Sequence, residues 1–526
     1  MQQVERDARP LCYCAPLYSV CAFAHTVFTL QAEQTARIVS TGIAVTETDA
    51  KYVWDSDLAT TVKACFVGRG ATEDKVGFEN SISPASTACG LVVAATNFYA
   101  EQGGQIYDTG TITSADGAIF RVDNVQIFGG FVLHIGEVVK GSFSVDAGVT
   151  MTVNYVRRSP IASNHTMTHV LNYALRDVLI GKDNIGASNY NGPAVDQKGS
   201  LVDENKMRFD FSWGKGVELT DLAKVEALCQ KKIADALPVQ AYNAPLENAQ
   251  QISALRAVFG EKYPDPVRII SVCATSIPEI LEKPTETIWK DYSIEFCGGT
   301  HLTNTSEAQK FVLISEEGIA KGIRRITAVT QERARDAVNT ANAFAERTKD
   351  VATLEGALLV QEVKKLCLEI NQLEISCVAK NDLNVVLKGL SARCQAWTKA
   401  EAKKKTDAAV TDVTVALNAA KEAGKNKAVV RVDFGVNGKD SQNVFKAITK
   451  THPDMACLIV TADFGANKFA CFASAPKGVE VDCKKWVEAA TEGLGGRGGG
   501  KPNSAQISVE GVEGIQAAFD KAQAAA

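Results

Sequence analysis

The chain of 526 residues holds only six histidines, and three of them fall in two short metal-type spacings, His165-Thr-Met-Thr-His169 and Cys297-Gly-Gly-Thr-His301. For these segments to share an ion, the fold has to bring two distant stretches of chain together. Residues i and i+4 lie one above the other on a helix, so His165 and His169 can present both imidazoles to one point. Gly298 and Gly299 let the second segment turn tightly, so that a thiolate and an imidazole four residues apart converge. Three nitrogens and one sulfur make a borderline-soft donor set that suits zinc in tetrahedral geometry. Four protein ligands normally close a structural zinc, whereas a catalytic ion keeps a position open, and residue types leave both readings standing.

The length predicts several cores rather than one. A net charge of -5 excludes a protein coated in positive field, so nucleic-acid binding has to come from local patches. Fourteen cysteines are scattered instead of forming the dense framework of a small secreted domain, which predicts reduced thiols in a cytoplasmic setting. The fairly apolar stretch from Leu11 to Leu30 is broken by Pro16, Ser19, His25, Thr26 and Thr29 and is not read as a signal peptide. No uninterrupted apolar run reaches about 20 residues, so no membrane span is expected.

Periodicity divides the chain. Residues 1–48 keep neither a helical nor a strand period and form a lead segment of uncertain fold. Across 49–160, short β-branched runs (Thr61 to Val67, Gly90 to Ala95, Gly110 to Ile112, Ile119 to Phe128, Val132 to Val139, Val149 to Val156) alternate with turns, predicting a small β-barrel or sandwich. In 161–330 the period becomes 3.6 around Val170, Leu171, Ala174, Leu175 and Val178, on a helix that Gly181 can end. Strands such as Met207 to Phe211 and Val267 to Val272, with a helix near Asp221 to Leu237, make this an α+β domain. In 331–425, Leu359, Val363, Leu366, Ile370, Leu373 and Cys377 step as a coiled-coil seam does; with Val385 to Ala423 they predict a helical arm folded as an antiparallel hairpin. Residues 426–526 alternate strands and helices as a terminal α/β domain. The fold class expected is therefore α+β multidomain: barrel, zinc-binding α+β domain, coiled-coil arm and C-terminal α/β domain.

Ser163-Asn-His165-Thr-Met-Thr-His169-Val-Leu-Asn172, Phe296-Cys-Gly-Gly-Thr-His301-Leu and Gly318-Ile-Ala-Lys-Gly-Ile-Arg-Arg325 together resemble the editing domain of alanyl-tRNA synthetases, the eukaryotic cytosolic branch in particular. The resemblance extends upstream to Phe98-Tyr-Ala-Glu-Gln-Gly-Gly-Gln-Ile-Tyr-Asp108 and downstream to Gly495-Gly-Arg-Gly-Gly-Gly-Lys-Pro-Asn-Ser-Ala-Gln506, from about Ala50 to the C-terminus. It implies that His165, His169, Cys297 and His301 are zinc ligands, that Gln197 lines the editing pocket, and that the C-terminal domain binds the elbow of alanine tRNA. Nothing before Ala50 resembles the ATP-binding motifs of the class II aminoacylation domain with which such synthetases begin. The Lys182 to Val195 stretch looks longer than the family's usual connection, enough to displace a pocket wall.

The activity implied is hydrolysis of mischarged seryl-tRNA, and of glycyl-tRNA, for alanine. A pocket that accepts alanine rejects an added hydroxyl only about a hundredfold, so a second, hydrolytic sieve is needed. Thr166 is expected first to read the serine hydroxyl, with Thr168 and Gln197 beside it; the bland alternative is that each threonine bonds its own helix backbone. Arg157, Arg158, Arg324 and Arg325 flank the pocket in sequence and are expected at acceptor-stem phosphates. Gly495 to Lys501 formally fits a nucleotide phosphate loop, but Pro502 stands where Ser or Thr should hold magnesium. A flexible loop carrying Arg497 and Lys501 to RNA is the reading kept. The partners expected are alanine tRNA, with no DNA and no membrane, and either a separate aminoacylation subunit or a second copy. Two alternatives stand beside the deacylase: part of an alanine-tRNA ligase whose class II domain is encoded elsewhere or upstream, and a non-catalytic tRNA-binding module with structural zinc.

Overall fold

The computed structural model describes residues 29–68, 77–86, 89–184, 191–257 and 262–526. The apolar stretch from Leu11 lies outside them except for its last two residues, as do 185–190 in the connection before Gln197. Two compact units form, one of Met1–Ala343 with Leu373–Asn381 and one of Phe344–Gln372 with Asp382–Ala526.

In the first unit the β-branched runs become a closed six-stranded antiparallel barrel. Its order is Leu58–Phe66, Cys89–Val93, Phe131–Lys140, Ile119–Phe128, Gly110–Ser114 and Gly148–Val153, the last pairing back to the first. Side chains alternate along each strand, so Leu91 and Val93 fill the interior with Phe120, Val122 and Met151 while Val92 faces out. Val92, Ala64, Phe66, Phe131 and Leu133 would leave an apolar patch on the barrel wall. The helix Ala32–Ser40 covers it through Ile38, with Leu30 ahead of it, so this part of the lead segment belongs to the barrel's packing.

The helix Tyr155–Ile180 follows the last barrel strand, capped by the Asn154 side chain on the Arg157 amide and ended at Gly181, whose φ is 81°. All residues from Ile161 to Leu175 are buried, as expected for a helix packed on every side. It therefore carries His165 and His169 into the interior. It packs against two sheets, one ordered Gln197–Val202, Met207–Ser212, Ile323–Thr330, Phe311–Ala320, the other Val239–Ala244, Val267–Val272, Ser293–Phe296, Leu255–Arg256. Alternation in Met207–Ser212 turns Met207, Phe209 and Phe211 into the shared core. The strand Ser293–Phe296 delivers Cys297 at its end.

In the second unit Leu359, Val363 and Leu366 are buried on the helix Gly356–Glu369, and Leu383, Leu387, Leu390 and Cys394 on Cys377–Glu422. The expected seam is not continuous, because a 3-10 turn at Ile370–Gln372 ends the first helix; Cys377, counted in the seam from sequence, packs instead on the core of the first unit. The terminal sheet runs Lys427–Arg431, Ala456–Asp463, Lys468–Ser474, Ser504–Glu510, Arg497–Lys501. Along Ala456–Asp463, Leu458 and Val460 face the helices Cys483–Thr491 and Ile515–Ala524. Cys457 and Ile459 face Gly438–Thr451 and the end of the long helix. The glycine-rich peptide is not the flexible loop expected from its composition but the edge strand Arg497–Lys501, paired from Arg497–Ser508 to Lys501–Ser504. Its glycines permit close pairing, since a Cβ at Gly498 would lie 2.1 Å from the Gln506 carbonyl oxygen.

Candidate metal centre

His165, His169, Cys297 and His301 bring one ligand atom each within 4.8 Å of one another. The Cys297 Sγ lies 3.4 Å from Nε2 of His165 and 3.4 Å from Nε2 of His301. Zinc–nitrogen bonds of roughly 2.0–2.1 Å and a zinc–sulfur bond near 2.3 Å give tetrahedral edges of about 3.5 Å, so this donor set fits one ion. Each ring also has its other nitrogen beside an oxygen. His165 Nδ1 is 2.7 Å from Gln105 Oε1, His301 Nδ1 is 3.1 Å from Thr166 Oγ1, and His169 Nδ1 is 3.0 Å from Glu295 Oε2. The hydrogen-bonding partners of His165 and His301 fix tautomer and ring plane and leave Nε2 free to meet a metal, while Glu295 faces His169 as a counter-charge.

Electrostatics prepare the sulfur. Burial works against a thiolate, but the surrounding imidazoles of His165, His169 and His301 outweigh it and hold the Cys297 thiol well below its ordinary pKa. Burial lowers His169, yet the charges of Glu295 and Cys297 carry it up to about 10. Burial dominates at His301 and takes it down to about 3. Glu295 stays ionised despite burial because His169, Arg256 and Arg176 face it.

The segment from Cys297 to His301 is pinned through its backbone. Arg268 Nη1 donates to the carbonyls of Cys297 (2.9 Å) and Gly299 (3.0 Å), Tyr52 Oη to that of Gly298 (3.0 Å), and Trp54 Nε1 to that of His301 (3.2 Å). The Arg268 guanidinium stacks on Tyr52, 3.8 Å from the ring centre. Gln105 closes the set by accepting from the Thr300 amide at 3.0 Å and donating to Thr300 Oγ1 at 2.8 Å. Only one of the two glycines is sterically required: a Cβ at Gly299 would lie 2.1 Å from His165 Cε1, whereas Gly298 faces open space. His165, His169 and Cys297 line a cavity of about 600 Å³ together with Thr168 and Gln197. His301 backs onto a smaller one of about 150 Å³.

Comparison with known proteins bears on this arrangement directly. Residues 276–327, which contain Cys297 and His301, match the threonyl and alanyl tRNA synthetase second additional domain. Residues 35–157 match tRNA synthetases class II (A), 334–397 the alanine–tRNA ligase domain, and 424–526 the DHHA1 domain. Its domains are those of the alanyl-tRNA synthetase family. The chain is 36% identical over 489 residues to the cytoplasmic alanine–tRNA ligase of Dictyostelium discoideum, covering 91% of this chain and 49% of that protein. It is 37% identical over 464 residues to the alanine–tRNA ligase of Candida albicans, covering 88% and 46%. Against the mitochondrial alanine–tRNA ligase of Saccharomyces cerevisiae the figures are 44% over 311 residues, 59% and 30%. The chain thus spans about half the length of the curated relatives it matches. The first match begins at residue 35, upstream of Ala50, where the motif resemblance starts.

Within this alanyl-tRNA synthetase framework the other expected residues separate. Thr166 does not line this cavity: its hydroxyl is engaged by His301 Nδ1 and by the Leu302 amide at 3.1 Å, so it positions the His301 ring. Thr168 lines the cavity, though its hydroxyl donates to the Asn164 carbonyl one turn back at 2.8 Å. Gln197 lines it too and makes no side-chain hydrogen bond to another described residue.

The arginines expected at RNA are largely spent within the protein. Arg158 is 1% exposed and gives its guanidinium to Asp108 and to the carbonyls of Asn97 and Lys51, which locks the helix to the barrel and removes it from any RNA surface. Arg157 pairs through two nitrogens with Glu204, Arg324 with Glu316 and Arg325 with Asp210. Arg497 and Lys501 lie exposed on the edge strand of the second unit. Sequence reading missed Gln105 and Glu295. Gln105 sits within the Gly103-Gly104-Gln105 turn of a motif that carries the family resemblance, while nothing in the sequence distinguishes Glu295 from other acids.

Proposed function

We propose that the chain hydrolyses mischarged seryl-tRNA, and glycyl-tRNA, for alanine at this cluster. The observation that carries the reading is a single cavity lined by three of the four metal-type side chains and by the carboxamide of Gln197, which hydrogen-bonds no other described residue. Its volume falls within the roughly 300–1,000 Å³ of ligand-sized pockets. Gln197 offers both a donor and an acceptor to a serine hydroxyl. Alanine would leave those groups unpaired, which costs about 1–3 kcal/mol for each buried one. The reader's role thus passes from Thr166 to Gln197, with Thr168 shaping the wall.

His165, His169, Cys297 and His301 would hold zinc, which supplies Lewis-acid polarisation and orientation at the ester. The chain's own residues fix the imidazoles, keep the thiolate charged and present the hydroxyl reader. No Ser-His-Asp arrangement is needed. Arg497 and Lys501 would meet tRNA from the second unit. We place the protein in the cytoplasm, in keeping with the name of the cytoplasmic Dictyostelium relative, although the Saccharomyces cerevisiae relative is named mitochondrial. No described helix is long and apolar enough to cross a membrane. A second reading follows from the relatives' names: together with a class II domain this chain would take part in attaching alanine to tRNA.

The test is hydrolysis of seryl-tRNA and alanyl-tRNA by the purified chain, with Cys297→Ala as control. Selective, Cys297-dependent loss of the seryl form is expected. Equal loss of both forms, or tight tRNA binding without hydrolysis at full zinc content, would reject the deacylase in favour of a non-catalytic module.

A further inference from the structure

The arginines that sequence spacing placed near the pocket are paired internally, so the cavity has to receive an anionic RNA end by other means. Four cationic side chains line it (Arg176, Lys198, Arg256 and Arg268) against two carboxylates, Asp49 and Glu295. Arg268 is committed to the carbonyls of Cys297 and Gly299, and Arg256, 3% exposed, to Ser293 and Tyr292. Arg176 and Lys198 are held differently. They share the carboxylate of Asp196, which lies 4.0 Å from Arg176 Nη2 and 4.0 Å from Lys198 Nζ, and Arg176 also faces Glu295 without a hydrogen bond to it. Neither separation is a hydrogen bond. Among the described residues the buried Nε of Arg176 has no hydrogen-bond partner, as is also true of Arg256 Nε.

Their placement follows from the helix. His165, His169, Asn172 and Arg176 step by four, three and four along one face and all line the cavity. Arg176 stands seven residues beyond His169, about 10 Å along the axis. Helical side chains lean toward the N-terminus, which returns its guanidinium toward the cluster. Arg176 thus lies on the same cavity wall as His165 and His169, beyond them along the helix. Lys198 adjoins Gln197 on the facing strand Gln197–Val202.

We propose that Arg176 and Lys198 form an anion subsite that takes a phosphodiester of the single-stranded RNA 3′ end whose aminoacyl group sits at the metal cluster. The inference rests on the deacylase reading for what occupies the cluster, but not for the binding itself. The planar guanidinium suits two phosphate oxygens at once, and the ammonium adds a point charge.

The test uses the full chain with Arg176→Gln, Lys198→Gln and the conservative Arg176→Lys. In single-turnover hydrolysis of seryl-tRNA, the half-saturating concentration should rise about tenfold in each Gln variant, the loss falling on binding rather than on the limiting rate, with zinc content unchanged. In equilibrium binding of an uncharged single-stranded oligoribonucleotide, one bearing no amino acid, the slope of log affinity against log salt should fall by about 0.7 for each phosphate no longer neutralised. Arg176→Lys should restore most of that slope. Unchanged affinity and slope in both Gln variants, or loss of zinc accompanying the defect, would overturn the subsite. If the wild type binds the oligonucleotide with the expected variant effects but hydrolyses no seryl-tRNA, the deacylase reading fails and the subsite stands.

Discussion

Glu295 joins the metal-type cluster to the rest of the cavity: one oxygen lies 3.0 Å from His169 Nδ1 and the other accepts from Asn172 Nδ2 at 3.0 Å, with Arg256 3.8 Å away. An anionic partner raises the basicity of its imidazole and fixes the ring, so Glu295→Gln should weaken zinc binding about 10–100-fold in a chelator competition without unfolding the chain. His134 has the opposite surroundings. It is fully buried in the barrel, with Thr96 Oγ1 2.8 Å from Nε2 and the Leu91 carbonyl 3.1 Å from Nδ1, and burial lowers its pKa to about 4. Below its unfolded value near 6.5 the unfolded chain takes up a proton that the folded barrel refuses. Its contribution is therefore complete above pH 6.5 and shrinks as pH falls toward 4, by roughly 3 kcal/mol in all. Unfolding free energies of the wild type and His134→Gln should converge across that window; parallel curves would contradict this. At this scale the clustering of His165, His169, Cys297 and His301 was legible because histidine is rare and its spacing is informative. Glu295 and Gln105 were not, because each acquires a role only once a strand end and a turn from elsewhere in the chain meet the helix.

Among the elements, the helix Tyr155–Ile180 and the barrel strands follow from hydrophobic period, which is local information. Two elements did not. The seam through Cys377 breaks because its spacing persists across a turn that periodicity does not register. The glycine-rich peptide was read as a loop, since glycine favours no pleat of its own, yet a ladder from Arg497 to Lys501 holds it as a strand. A Cβ at Gly500 would meet Ala505 Cα at 2.4 Å, while Gly499 faces open space. Gly500→Ala should thus destabilise the second unit by about 1–3 kcal/mol in urea unfolding, and Gly499→Ala should leave it nearly unchanged. Equal effects at both positions would argue against close strand pairing.

For the molecule as a whole, the metal-type residues all belong to the first unit, as do Tyr52, Trp54 and Gln105, which come from the barrel side and its turns. The barrel is therefore part of the site's construction and not a spacer, a relation no single segment of sequence displays. Bound zinc stabilises only the unit that holds it, by about 4 kcal/mol at a thousandfold excess over Kd. Calorimetry with and without a chelator should shift the first unit's transition downward and leave the second unit's in place. A matching shift in both would contradict a site confined to the first.

The whole site depends on two distant segments closing on one ion, and zinc K-edge absorption of the purified chain examines that most directly. One zinc per chain is predicted, with three nitrogen ligands at about 2.0–2.1 Å and one sulfur at about 2.3 Å, the sulfur absent in Cys297→Ala. A chain that takes up no zinc, or whose zinc shell contains no sulfur, would contradict it.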